Sequence, residues 1–107
     1  MRAALAGGTD RETTATAVRY FLQLLADDAP GNSVEVRVPP FGAVQCIEGP
    51  GHTRGTPPNV IETDAATWLA IAAGAEQWVA ALARGVIAAS GSRADLSNHL
   101  PLRWQRD

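Results

Sequence analysis

Ser33-Val34-Glu35-Val36-Arg37-Val38 alternates polar and apolar residues without a break, and Pro39-Pro40 follows at once. A period of two fits an extended strand with one buried face, and a helix would scatter the three valines around its axis. Val34, Val36 and Val38 therefore point to the core, while Glu35 and Arg37 point to solvent. The two prolines have no N–H to donate to a ladder, so the strand ends there. Such a strand needs a neighbour for its backbone and a second layer for its valine face.

The flanking sequence supplies both. Upstream, Thr9-Asp10-Arg11-Glu12 has the Thr-x-x-Glu form of a capping box. Val18, Phe21, Leu22, Leu25 and Ala29 then recur at three- and four-residue steps, and Pro30-Gly31-Asn32 stops the run, predicting an amphipathic helix over about 10–28. Downstream, Phe41-Gly42 turns the chain and Ala43–Glu48 reads as an antiparallel hairpin partner. Residues 49–58 hold three Gly and three Pro, a long loop where function is to be sought. Asn59–Thr63 reads as a third strand. Asp64 is a good N-cap for a helix reaching Ala73, with Trp68, Leu69 and Ala72 on one side, and Gly74 breaks it. A second helix over Glu76–Arg84 carries Trp78, Val79 and Leu82 and ends at Gly85. Val86–Ser90 is an apolar run of strand length. Ser92 or Asp95 caps a last short helix that Pro101 stops near Leu100. The order predicts an α+β fold in which an antiparallel meander is joined by a helical crossover to a further strand. The sheet is mixed and mainly antiparallel, with about four to five strands and helices packed on one face.

A length of 107 residues fits one domain. It is read as a tail over 1–9, a domain over 10–102 and a tail over 103–107. Twenty of the apolar residues are Ala, so the core rests on Leu, Val, Ile and the aromatics. All nine bases are Arg against eleven acids, with no basic stripe of the kind a nucleic-acid binder carries. One Cys and two His exclude a disulfide framework and a four-ligand zinc site, and no cofactor is implied. No apolar run is long enough to span a bilayer, and the start is too weakly apolar for a signal peptide, so the expected compartment is the cytoplasm.

Asp64-Ala65-Ala66-Thr67-Trp68-Leu69, a Gly, Trp78 and then Gly85-Val86-Ile87-Ala88-Ala89-Ser90-Gly91 resemble the C-terminal half of sterol carrier protein (SCP-like) domains. Further stretches are similar to an actinobacterial branch, the bacterial sterol-carrier-protein orthologues. They are Pro30-Gly31 with Val34–Pro40, Gly42–Cys46, His52-Thr53-Arg54-Gly55-Thr56-Pro57-Pro58 and Arg93–Leu96, within a resemblance over about residues 16–102. The resemblance implies a helix-covered mixed sheet with an apolar cavity between the layers. It also implies non-catalytic binding or carriage of a lipid or other apolar small molecule. The chain ends Gln-Arg-Asp, without the peroxisomal tripeptide, and with so short a tail the family's cavity-covering last helix is expected to be abbreviated.

Two readings remain open for Phe21, Leu25, Trp68, Trp78 and Leu82: they line that cavity, or they pack as ordinary core. The second goes with a protein-interaction or dimerisation module, a homodimer whose core its own side chains fill. Cys46, on a strand, reads as a buried structural thiol, and His99, beside Pro101, as a solvent-exposed side chain. His52 and Arg54 are candidates for a pocket mouth that holds a ligand's anionic head; alternatively Arg54 pins its loop to Glu48, Glu62 or loop carbonyls. No carboxylate adjoins His52 to orient it as a base, and Ser90-Gly91-Ser92 lacks the Gly-x-Ser-x-Gly pattern. An enzyme using the His52/Arg54 loop is the remaining alternative to a protein that is not an enzyme.

Overall fold

The computed structural model describes residues 10–49 and 59–103. Helix α1 spans Arg11–Asp28, strand β1 Val34–Val38, β2 Gly42–Cys46 and β3 Asn59–Thr63. Helices α2 (Ala65–Ala73) and α3 (Trp78–Ala83) follow, and strand β4 is Ile87–Ser90. The four strands form one mixed sheet in the order β2-β1-β3-β4. β1 pairs antiparallel with β2, and β3 antiparallel with β4. The sheet is thus mainly antiparallel and the fold α+β, as expected. The expected meander is not. β3 lies parallel to β1, with Val36 opposite Ile61, on the side away from β2. The strands richest in β-branched residues, Val-Glu-Val-Arg-Val and Asn-Val-Ile-Glu-Thr, occupy the two interior positions, where both sides need pairing and burial is deepest. Gly- and Ala-containing β2 and β4 are left as edges.

The alternation works as expected. Val34, Val36 and Val38 are fully buried, and Glu35 pairs with Arg37 at 3.2 Å on the opposite face. The hairpin turn is one step earlier than expected, because Phe41 N–H donates to Val38 O across Pro39-Pro40. The cap of α1 is Asp10, whose carboxylate accepts from the Glu12 amide at 2.9 Å; Thr9 lies outside the described residues. Val18, Phe21, Leu22 and Leu25 face the core, and α1 packs against β2 and α2. Asp64 caps α2 through the Thr67 amide at 2.7 Å.

The last expected helix does not form. Asp95 accepts from the Ser97 amide at 2.8 Å and His99 N–H donates to Leu96 O, so residues 91–100 run through turns. Two forces oppose a helix here. The Asp95 side chain competes for a local amide, and Pro101 disfavours the helical conformation at Leu100. Leu96 and Leu102 instead drop into the core at either end of this segment, and Leu102 N–H donates to Ala72 O at 2.9 Å.

A polar clamp ties the sheet to this segment. Asn59 is buried, with both ends of its side-chain amide engaged: Nδ2 donates to Ser33 O at 2.8 Å and Oδ1 accepts from the Arg93 backbone N–H at 2.9 Å. None of the helices among the described residues is long and apolar enough to cross a membrane.

Candidate functional site

Gly74 ends α2 in the left-handed conformation at φ 93°. The amides of Gly74, Ala75 and Glu76 all converge on Ala70 O, folding the chain back within one turn so that α3 starts beside the end of α2. Gly74 also lets the C-terminal segment approach, since a Cβ there would stand 3.2 Å from Pro101 Cβ. Between these parts runs a groove of about 270 Å³. Ile71, Trp78, Val79, Leu100 and Pro101 give it apolar walls, and Glu76, Gln77 and Ser97 add polar groups. Trp78 is only 5% exposed, whereas Val79 beside it is 64% exposed. The apolar area open on this wall is therefore that of Val79, with the indole almost wholly covered behind it.

Glu76 is held by Arg84 in a two-pronged pair, Nε and an Nη each donating at 2.8 Å. This hydrogen bonding keeps the Glu76 carboxyl below the usual carboxylate range, so it stays ionised at neutral pH. A second groove, of about 480 Å³, is bordered by Asp28, Asn98, His99 and Arg103 and shares Leu100 and Pro101 with the first. A third, of about 360 Å³, lies where Thr63 and Asp64 meet Val86 and Ile87.

The five residues expected around a cavity separate. Phe21, Leu25 and Trp68 are fully enclosed in the core cluster, and the Trp68 indole donates to Val18 O at 3.3 Å. Trp78 belongs to that cluster and also walls the first groove. Leu82 is 41% exposed on α3 and stands outside the buried core cluster. The α3 helix is only six residues long, and its buried side is carried by Trp78 and Ala81. His52 and Arg54 lie outside the described residues. Glu48 and Glu62 form no ion pair among the described residues. His99 is half-buried rather than exposed. Ile71, Leu100 and Pro101 were not expected at a site. Pro101 carries a helix-stop signal in sequence, and nothing local marks it as a wall facing Gly74.

Cys46 is buried on the inner face of β2, and burial pushes its thiol up to about 11. The native protein is therefore expected to resist an aromatic disulfide reagent at pH 8 and to react fully once unfolded. Because the folded thiol titrates above the unfolded one, its contribution is complete below pH 9 and is lost as pH rises from 9 towards 11. Urea midpoints measured across that range check the sign, and a Cys46→Ala variant should flatten the decline. Among the described residues no three His, Cys, Asp or Glu gather to hold a metal ion.

A search of curated proteins gave no match. The family model described as bacterial SCP ortholog matches residues 10–102. That span runs from the N-cap of α1, through all four strands and both grooved helices, to the buried Leu102. The chain belongs to the bacterial SCP ortholog family.

Proposed function

We propose that the protein binds or carries a lipid or other apolar small molecule without transforming it, and that the groove at Trp78 is where the molecule sits. One observation carries the reading. The groove combines an almost buried indole with an exposed valine and two apolar residues of a distant segment, as sites for apolar ligands do. Membership of the SCP ortholog family supports it at the level of the class of ligand. The close packing of Phe21, Leu25 and Trp68 favours this groove over the space between sheet and helices. The walls supply contact area, and both Glu76 oxygens are engaged by Arg84, which supports holding over reacting.

Native mass spectrometry before and after delipidation tests this. The expected result is a co-purified mass that disappears on delipidation and returns on adding an acyl probe, with a matching change in Trp fluorescence. The exposure of both Val79 and Leu82 on α3 favours a second reading, a protein-interaction module. No bound mass and no response to the acyl probe, together with a concentration-dependent dimer, would select that reading instead.

A further inference from the structure

Helix α3 reads Trp-Val-Ala-Ala-Leu-Ala, without a polar residue, yet one side of it is open. A helix that is apolar all round belongs in an interior. Trp78 and Ala81 meet that expectation, whereas Val79, Leu82 and Ala83, at i, i+3 and i+4, form an exposed apolar stripe. Of the three large apolar side chains exposed among the described residues, two are Val79 and Leu82. We propose that a second copy of this chain covers the stripe, with α3 packed antiparallel on α3 about a two-fold axis near Ala80 and Ala81. The proposal stands apart from the ligand reading of the Trp78 groove and is tested on delipidated protein.

Shape points to a copy as the occupant. The face carries an exposed Leu82 and, about one helical turn away, the apolar groove walled by Trp78 and Val79. A two-fold interface needs a self-complementary patch, with a projection and a recess on each chain. In the antiparallel register Leu82 of the partner subunit comes level with Val79 at the edge of the groove, and the exchange is mutual.

The same register matches the flanking charges. It brings Arg84 of each chain level with Gln77 and next to Glu76 of the other, so opposite charges meet at both ends of the paired helices. A parallel arrangement would instead set Glu76 against Glu76 and Arg84 against Arg84. Within one chain Arg84 bonds Glu76 through Nε and one Nη, and its other Nη has no partner among the described residues. Each Glu76 oxygen accepts one of these bonds and keeps a lone pair for a further donor. An anionic membrane is a poorer occupant. The stripe lacks the Lys and Arg that hold an amphipathic helix at a charged surface, and Glu76 already neutralises Arg84 beside it.

Sedimentation equilibrium on delipidated protein tests the proposal. The native chain should pass from monomer to dimer between about 1 µM and 1 mM, the behaviour of a small interface. Val79→Glu and Leu82→Glu should each weaken association about tenfold or more, with an unchanged melting temperature because both positions are exposed. Glu76→Arg and Arg84→Glu should each be monomeric alone, since like charges then face each other at both ends. An equal mixture of those two variants should dimerise, since opposite charges face each other again. A native chain that stays monomeric up to about 1 mM overturns the proposal and leaves the ligand reading of the groove standing. A dimer that survives both apolar substitutions overturns the surface, and a mixture of the two charge variants that stays monomeric overturns the antiparallel register.

Discussion

Truncating Trp68 to alanine should lower the unfolding free energy by about 3–5 kcal/mol, the range for removing a large buried aromatic. The side chain is fully buried, and its indole N–H reaches from α2 to the Val18 carbonyl of α1 at 3.3 Å. Three losses combine: apolar contact area, a void that close-packed neighbours fill only partly, and one buried hydrogen bond. Total stabilities of small domains are roughly 5–15 kcal/mol, so a large share of the folded state's margin goes with this one residue. Urea denaturation gives the number directly. Trp68→Phe separates the parts, keeping a ring while losing the donor, and should cost about 1–2 kcal/mol. A loss below about 1 kcal/mol in Trp68→Ala would mean that the layer between α1 and α2 is open rather than packed.

Gly31→Ala should be nearly as damaging, at about 3 kcal/mol, although it adds only a methyl group at the surface. Gly31 sits at φ 150°, where L side chains are rarely found, and a Cβ there would overlap the Ile47 carbonyl carbon and the Glu48 amide nitrogen. Those neighbours are backbone and cannot swing away. They are also tied down: the Ile47 amide donates to Ala29 O, and Ile47 O accepts from the Ser33 amide at 3.0 Å and from the Ser33 hydroxyl. Ile47 itself has φ 65°, an uncommon conformation for a β-branched residue, held by the same bonds. The chain between α1 and β1 is thus docked backbone-to-backbone on the end of β2. A melting temperature for Gly31→Ala within a degree or so of the native value would show that this docking is loose.

Most of the elements were legible in the sequence because their signals are local. The valine alternation, the Asp64 cap and the breaks at Gly74 and Gly85 each act over a few residues. Elements α2, β1 and β3 accordingly fall within a residue of expectation. The 95–100 segment departs from its expected helix for a related reason. Asp95 and Pro101 look like a helix start and stop, but the spacing of Leu96 and Leu102 answers to a core surface and not to a helical period. Of the expected cavity residues, Trp78 alone reaches a groove among those described, because apolarity in sequence does not distinguish a side chain packed on all sides from one packed on three.

By itself, then, the sequence determined the α+β class, the inward valine face of β1 and the sterol-carrier resemblance, which the match over residues 10–102 bears out. Each is carried by residue type and short-range spacing. Only the tertiary structure decided that β3 runs parallel to β1, that Leu82 faces outward, and that Leu100 and Pro101 close against Gly74. Those outcomes depend on which distant surfaces bury one another, and burial is a property of the assembled core that no short stretch of chain encodes.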